Sequence, residues 1–298
     1  MSADAGTPLF SVATPTRNAL DKLRRCVGSV RGQRAEDGMA VEHLVQDARS
    51  SDGTPDWLAA QPDVMGLSEP DRGMYDAIHR AWARARGQYF SWLNADEQYL
   101  PGTLAFVQRW FEAHPQVQVL FGDYLVARPD GTAVALRREI PFRRAYVANG
   151  FLNTQSCTLF FRRALWERGL LRFDDGLRYA ADKDLMLRLA DAGVAIAHVP
   201  RVLAVFGIDG SNLSTHPQMA QEAEQVRRRH GALASPALRR VLLLGRTAER
   251  LLSGGYARRD FAYRYAIDEQ PRYRELQARR LGGRYSLADG AEPAPQEA

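Results

Sequence analysis

Short apolar runs alternate with segments of helical periodicity along the first two thirds of the chain. Four runs of strand length are Leu9–Thr14, Val41–Gln46, Asp63–Leu67 and Tyr89–Leu93. Between them the apolar positions recur every three or four residues, as in Leu20, Leu23, Val27 and Val30 and again from Gly73 to Arg86. Strands that alternate with helices predict an α/β fold with a mainly parallel, Rossmann-like sheet flanked by helices.

The pattern continues beyond the fourth strand with less regular spacing. We predict a helix from Pro101 to about His114 that buries Leu104, Val107 and Phe111. Later elements are a strand at Val117–Phe121, a hairpin over Tyr124–Arg138, a strand at Thr154–Phe161, a short helix at Ala164–Gly169, a helix at Asp182–Ala192, and strands at Ala195–Val199 and Val202–Phe206. The polar loop Gly207–Thr215 is a candidate lid. Four C-terminal segments are predicted to be helical: Pro217–Arg229, Ser235–Leu252, Tyr256–Ile267 and Pro271–Leu281.

Acidic side chains follow two of the predicted strands at the point where each strand ends. Asp47 follows the second strand, and Asn94, Asp96 and Glu97 follow the fourth. Open α/β sheets bind ligands outside the carboxyl ends of their strands, and hard oxygen ligands at such a position suit Mg²⁺ or Mn²⁺ holding a diphosphate. The alternative is that the second cluster is an ordinary solvated turn. No G-x-G-x-x-G follows the first strand, which disfavours a dinucleotide site.

The composition is that of an ordinary globular protein. The chain has 298 residues, of which 45% are hydrophobic and 25% are charged, and this length allows a sizeable core. No stretch approaches the roughly 20 apolar residues of a membrane span, and Met1–Pro8 has neither the basic nor the apolar region of a signal peptide. Cys26 and Cys157 lack zinc spacing. We therefore expect two buried, reduced thiols and a cytoplasmic location.

The positive charge belongs to the C-terminal part of the chain. Residues 216–298 hold fifteen arginines against ten acidic residues, so this segment carries the whole net charge of +5. One interpretation is a small helical extension with a solvated basic face. The other is a basic surface that approaches anionic lipid at the inner face of the plasma membrane.

Seven segments together resemble family 2 glycosyltransferases with the GT-A fold. They are Val12–Asn18, Leu44–Thr54, Ser68–Ile78, Leu93–Tyr99 with Pro101-Gly102, Phe121–Asp123, Thr154–Arg162 and Tyr179–Leu189. The resemblance implies a GT-A domain over residues 8–215. The residues that follow predict a basic helical extension at 216–285 and a disordered tail at 286–298. The resemblance also implies an inverting, metal-dependent hexosyltransferase that uses a nucleotide sugar, as in the biosynthesis of cell-surface polysaccharides.

The resemblance assigns the donor side of the site. Asp47 matches the acid that hydrogen-bonds the nucleotide base, and a cap of a turn is its alternative role. The remaining donor-binding candidates are Thr14, Pro15, Arg17, Asp71, Arg72, Asn94 and Ala95. Asn94 replaces an acid of the family motif and is still able to bond a ribose hydroxyl. We expect a UDP-sugar, with dTDP- and GDP-sugars as alternatives.

The same resemblance assigns the metal and the catalytic base. Asp96 matches the acid that binds Mn²⁺ or Mg²⁺, and Glu97 and His216 are further candidate ligands. The ion would stabilise the leaving diphosphate. Asp182 matches the general base that deprotonates the acceptor hydroxyl, and a helix cap is its alternative role. Asp71 is also able to cap the helix that begins near Gly73.

The acceptor side is assigned with less detail. Thr154, Gln155 and Asp184 match positions there, and Asp184 is alternatively a structural residue or one that orients Asp182. The acceptor would be a saccharide or a lipid-linked saccharide, with no role for nucleic acid. Two other functions remain open at this stage: a nucleotidyltransferase, and a non-catalytic protein that binds nucleotides or carbohydrates.

Overall fold

The computed structural model describes residues 8–210, 212 and 215–290. A nine-stranded sheet forms its centre, with strand order β3-β2-β1-β4-β8-β6-β9-β5 and with β7 paired to β6. The strands are β1 Phe10–Thr16, β2 Val41–Asp47, β3 Val64–Ser68, β4 Tyr89–Trp92, β5 Gln98–Tyr99, β6 Val119–Ala127, β7 Ala133–Arg137, β8 Phe160–Arg162 and β9 Ile196–Gly207.

The first half of the sheet is parallel, as the alternation of strands and helices predicts. β1 pairs in parallel with β2 and β4, and β2 pairs in parallel with β3. The flanking helices are α1 Leu20–Ala35, α2 Thr54–Ala59, α3 Met74–Ala83 and α4 Thr103–Ala113. Every residue of β1 and β4 is buried because helices cover both faces of this part of the sheet. α2 was not predicted, since its segment reads as a turn.

The second half of the sheet is mixed and differs from the prediction in two places. β9 is one strand, because a register shift opposite Gly122 and Asp123 takes up Pro200 and Arg201 without ending the pairing with β6. The predicted strand Thr154–Phe161 was too long. Its first part forms a 3-10 turn at Ser156–Thr158, and only β8 pairs with β4 and β6. Three helices lie in this half: α5 Arg144–Asn149, α6 Arg163–Glu167 and α7 Ala181–Asp191.

The C-terminal extension contains two helices and a β-hairpin. The helices are α8 Gln218–Arg229 and α9 Pro236–Leu252, and the hairpin pairs β10 Arg259–Ala266 with β11 Tyr273–Leu281. The prediction of helices in the last two segments was wrong. Phe261, Tyr263 and Tyr265 stand at every second position and pack as one face, which is the two-residue period of a strand. Of the predicted tail, Leu287–Gly290 forms a 3-10 turn and 291–298 lies outside the described residues.

The hairpin packs against α1 and β5. A Cβ on Gly28 of α1 would lie 2.0 Å from the Asp268 carbonyl oxygen, so the close approach requires glycine there. On the other side, the Gln98 side chain of β5 donates to the Ala266 carbonyl at 3.1 Å and accepts from its N–H at 2.9 Å. β5 directly follows the Asn94–Glu97 loop, and the hairpin therefore supports that loop from behind.

Candidate functional site

In the loop after β4, Asp96 is partly exposed and Glu97 is buried. Glu97 has no exposed surface. Its carboxylate accepts the Asn94 backbone N–H at 2.7 Å and the Ser156 hydroxyl at 2.5 Å. Burial raises the pKa of Glu97, and the nearby Asp96 raises it further. Both oxygens are engaged in closing the loop, which is a structural role, and a metal-binding role for Glu97 stays a prediction.

Asp96 is half-buried at the mouth of the same loop. Burial raises the pKa of its carboxyl, and the nearby Lys22 ammonium, which pairs with Asp209, opposes that rise. The Asn212 side-chain amide lies 3.4 Å from the Asp96 carboxylate and also donates to the Gly207 carbonyl oxygen at 2.9 Å. Asp96 is thus the acid of this loop whose carboxylate faces the solvent-accessible side.

Two amide oxygens beside Asp96 are suited to a hard cation. Asn94 Oδ1 and Asn212 Oδ1 are buried without a hydrogen-bond partner, a state that costs free energy unless a ligand satisfies it. Carboxylate and amide oxygens are ligands that Mg²⁺ and Mn²⁺ accept. Within 8–210, 212 and 215–290 no group of three or more His, Cys, Asp or Glu side chains could hold a metal. The donor set therefore fits an ion whose remaining ligands come from a bound diphosphate.

His216 lies beside Tyr179, just before the start of α7. Its ring stacks on Tyr179 with centroids 4.3 Å apart and an interplanar angle of 7°. Its Nδ1 accepts the Gln218 backbone N–H at 3.3 Å. Tyr179 lies three residues before Asp182, so these contacts associate His216 with the predicted base. A metal-binding role for His216 stays a prediction.

Asp47 shapes the loop after β2 and has no exposed surface. Its carboxylate accepts the Ser50 N–H at 3.0 Å, the Ser50 hydroxyl, and the Ser68 hydroxyl at 2.6 Å from the end of β3. The neighbouring loop after β1 joins this network, since Asn18 N–H donates to Ser50 Oγ at 2.7 Å. In the structure Asp47 caps this turn, which is the alternative role predicted for it. A contact of Asp47 with the nucleotide base stays a prediction.

The other donor-side candidates divide into buried and exposed residues. Thr14 is buried and shares a hydrogen bond of 2.8 Å with His43 Nε2. Pro15 and Ala95 are buried as well, so all three residues lie beneath the surface of the site. Arg17 is exposed in the loop after β1, where its side chain is free to meet a nucleotide.

Asp71 and Arg72 lie just before α3. Asp71 accepts the Gly73 N–H at 2.9 Å, which closes a turn, and no side-chain cap is present on α3 itself. The prediction of Asp71 as the helix cap is corrected accordingly. Arg72 is exposed and pairs with Asp76 at 2.9 Å and with Asp175 at 3.1 Å.

Asp182 lies half-buried in the first turn of α7. Its carboxylate accepts the Lys183 N–H at 2.8 Å. Burial raises the pKa of Asp182, while that N–H and the Tyr75 hydroxyl lower it. Burial also lowers the pKa of Lys183 to about 8, and its ammonium donates to the Gly150 carbonyl at 2.9 Å. A carboxylate with a raised pKa near a helix N-terminus has the properties of a general base.

Asp184 faces the interior of the protein. It has no exposed surface and pairs with Arg188 at 2.7 Å, with Arg229 at 3.2 Å and with His230 at 3.0 Å. These contacts join α7 to α8. These ion pairs fit the structural alternative for Asp184, and its assignment to the acceptor side stays a prediction.

Thr154 and Gln155 precede the 3-10 turn that holds Ser156. Thr154 Oγ1 is buried without a hydrogen-bond partner, and Gln155 is half-buried beside Ser156. Elsewhere, a cavity of about 180 Å³ is lined by α3 and the segment before α7, with Tyr75 in its wall. Sequence reasoning missed Tyr75, and it placed Ser156 on the acceptor side and Gly207 and Asn212 in the candidate lid without their contacts to the loop after β4. Ser156 and Tyr75 lie inside the resembling segments, but no local pattern shows what they contact.

Known proteins share sequence with a large part of this chain. Residues 11–169 match the family model described as Glycosyl transferase family 2. The O-antigen biosynthesis protein RfbC of Myxococcus xanthus is 28% identical over 209 residues, which are 66% of this chain and 16% of that protein. An uncharacterized glycosyltransferase of Mycobacterium tuberculosis is 31% identical over 190 residues, covering 61% of this chain and 69% of the relative.

Solved structures share the fold at lower identity. S. aureus TarS in complex with UDP-GlcNAc has a TM-score of 0.61 and 16% identity over 82% of this chain and 73% of that chain. The mannosyltransferase PcManGT from Pyrobaculum calidifontis, in complex with GDP-Man and Mn²⁺, has a TM-score of 0.55 and 21% identity over 81% and 70%. With its GT-A fold and a family model that matches more than half of its residues, this chain belongs to glycosyl transferase family 2.

Proposed function

We propose that the protein transfers a sugar from a nucleotide diphosphate donor to a saccharide or lipid-linked acceptor, with inversion at the anomeric carbon. The observation that carries this proposal is the Asp96 carboxylate beside the unpartnered amide oxygens of Asn94 and Asn212. Such a group of oxygens suits an ion-bound diphosphate. A UDP-sugar is the favoured donor, because TarS was solved with UDP-GlcNAc, and a GDP-sugar is the alternative suggested by PcManGT.

Asp96 would hold Mn²⁺ or Mg²⁺, and the unpartnered Asn94 Oδ1 and Asn212 Oδ1 are further candidate oxygens for the ion. When bound, the ion supplies charge stabilisation for the departing diphosphate. Glu97 contributes indirectly, because its bonds to Asn94 and Ser156 hold the loop in shape. Arg17, exposed beside the loop after β1, is positioned to meet the nucleotide phosphates.

Asp182 would remove the acceptor proton. The acceptor oxygen forms its bond to the anomeric carbon while the bond from that carbon to the diphosphate breaks, and the hydroxyl proton passes to the Asp182 carboxylate. The Lys183 N–H and the Tyr75 hydroxyl keep this carboxylate oriented and limit the rise of its pKa. Thr154, whose hydroxyl lacks a partner, supports a saccharide contact on the same side.

The proposal is tested by following nucleoside diphosphate release from a panel of nucleotide sugars, with Mn²⁺, with Mg²⁺ and with EDTA. Asp96→Ala should abolish metal-dependent donor binding, whereas Asp56→Ala, at an exposed acid of α2, should behave as the wild type. Full activity in EDTA would contradict the metal assignment. Pyrophosphate release from nucleoside triphosphates would indicate a nucleotidyltransferase, and metal-dependent binding without turnover of any donor would indicate a non-catalytic relative.

A further inference from the structure

Helix α9 turns its apolar face away from the protein. Val241, Leu251 and Leu252 are 66%, 64% and 88% exposed, and Leu238 and Leu244 are exposed on the same side. Together with Ala237 and Ala248 these side chains cover about half of the helix circumference at 3.6 residues per turn. A surface helix of a globular protein normally has the opposite arrangement, with the apolar stripe against the core.

Three charged residues of α9, namely Arg246, Glu249 and Arg250, face inward and hold the helix in this orientation. Arg250 is buried, 3.7 Å from the Glu139 carboxylate and over the Tyr256 ring. Glu249 accepts bonds of 2.7 to 2.9 Å from the Arg143 guanidinium. Burial also lowers the pKa of Arg246 on the same face. Rotating the helix to bury its leucines would break these ion pairs, so the outward apolar face is built into the fold.

Two residues link α9 to the segment that holds the predicted base. Gly150 packs against α9 closely enough that a Cβ there would lie 2.7 Å from Leu243 Cδ2. The next residue, Phe151, is 81% exposed. The Gly150 carbonyl in turn accepts the Lys183 ammonium, and Lys183 follows Asp182. Gly150 and Phe151 therefore connect α9 with Lys183, the residue that follows the predicted base.

Unpaired arginines border the apolar face of α9. Arg239 and Arg240 line a groove on α9 together with Pro236, Leu243, Leu244 and Thr247. No acidic side chain among residues 8–210, 212 and 215–290 forms an ion pair with either arginine. By contrast, Arg227 and Arg228 pair with Glu224, and Arg229 pairs with Asp174 and Asp184. Within α8 and α9, therefore, Arg239 and Arg240 are unpaired among the described residues, whereas the Arg227–Arg229 run is paired with acidic side chains.

We propose that the outer face of α9, with Phe151, docks on the surface of an anionic lipid bilayer. Apolar side chains flanked by arginines fit the boundary between acyl chains and phosphate groups. No helix in the described part of the chain is long and apolar enough to cross a bilayer, so α9 would lie in the plane of the interface. Its 17 residues would span about 25 Å of that plane.

A second copy of the chain is a less suitable partner for this face. A single exposed helix face is narrow against the ~800 Å² per partner of a standard interface. Packing two copies through it would also bring the unpaired Arg239 and Arg240 of both copies to one interface, whereas lipid phosphates would neutralise them. If the proposed function also holds, docking would bring Asp182 to the side of the protein that faces a lipid-linked acceptor.

The test is co-sedimentation of the full chain with phosphatidylcholine vesicles, with and without phosphatidylglycerol, at low and high ionic strength. We expect binding to the anionic vesicles that weakens as salt rises. Leu244→Asp should reduce partitioning at least about tenfold, and Arg239→Glu with Arg240→Glu should reduce it by at least a similar factor. Leu67→Asp, on the exposed edge strand β3, is the matched apolar control, and Arg228→Glu is the charge control.

Circular dichroism and thermal unfolding would establish that each variant is folded, which is expected because the substituted side chains are exposed. Equal binding to neutral and anionic vesicles, or no binding at all, would overturn the proposal. So would unchanged partitioning of Leu244→Asp. A dimer in analytical ultracentrifugation that Leu244→Asp dissociates, without vesicle binding by the wild type, would assign the face to a second copy. These readouts do not depend on sugar transfer, so failure here leaves the proposed function untouched.

Discussion

Gly207, at the end of β9, lies directly against the backbone of Asp96. A Cβ built on Gly207 would come 2.2 Å from the Asp96 carbonyl oxygen and 3.2 Å from its Cβ. The Asn212 amide also bonds both residues, through the Gly207 carbonyl and the Asp96 carboxylate. The position of the candidate metal-binding carboxylate is therefore determined by a strand that is more than 100 residues away in the chain.

Gly207→Ala should displace the Asp96 loop. The methyl group would have to push the loop by about 1 Å to restore an ordinary contact, and a misplacement of that size typically costs about a hundredfold in rate. We expect weaker Mn²⁺-dependent donor binding and slower turnover, measured by calorimetric titration and by nucleotide release. Gly282→Ala is the control, because a Cβ there meets open space. Unchanged donor affinity in Gly207→Ala would show that the loop position is not decisive.

Asp182→Asn should slow the chemical step without harming the fold. The amide keeps the shape of the side chain but cannot take up the acceptor proton, so turnover should fall at least about a hundredfold while donor binding stays normal. Burial raises the pKa of Asp182. Its ionised form thus costs stability above the pKa of the unfolded chain, and the Asn variant should melt no earlier at neutral pH. Earlier melting with near-normal turnover would identify Asp182 as a helix cap.

Tyr75→Phe should shift the acid limb of the pH–rate profile upward. The Tyr75 hydroxyl lowers the pKa of Asp182, so its removal should raise that pKa and deprotonation of the base should occur at a higher pH. In the wild type, the raised pKa predicts that activity falls at a pH above the ordinary Asp value of about 3.9. The measurement is kcat/KM against pH for both proteins. If the acid limb did not move, Tyr75 would have no influence on the ionisation of the base.

Asp184→Asn should affect stability in a pH-dependent way. Bonds from Arg188 and His230 outweigh burial and hold the pKa of Asp184 below its ordinary value. Its contribution is therefore present above about pH 4 and is lost as the pH falls through the folded-state value. We expect a loss of about 2 kcal/mol in the free energy of unfolding at pH 7. The difference between the variant and the wild type should become smaller at acidic pH.

Chemical denaturation at several pH values measures this loss. Asp175→Asn, at an exposed carboxylate, should change stability by less than about 0.5 kcal/mol. If Asp184→Asn instead kept full stability and lost turnover, the roles assigned to Asp182 and Asp184 would have to be exchanged.

The sequence alone determined the parallel half of the fold and the positions of the chemistry. Apolar period and length located β1, β2, β4, α1, α3 and α4, because a residue's tendency to face a core is expressed within a few positions along the chain. The ends of these strands located Asp47 and Asp96 at one edge of the sheet. Resemblance then identified Asp182. Burial of the thiols of Cys26 and Cys157, both free in the structure, also followed from the sequence.

Only the tertiary structure decided which polar groups remain available to a ligand. Glu97 is engaged by Ser156, Asp47 by Ser68, and Asp184 by residues of α8, and each partner lies far away in sequence. The same holds for α9, whose periodicity shows an apolar face but not its direction. That direction depends on ion pairs to Arg143 and Glu139. The face of a helix that packs on the core is the one whose side chains find partners in the rest of the protein.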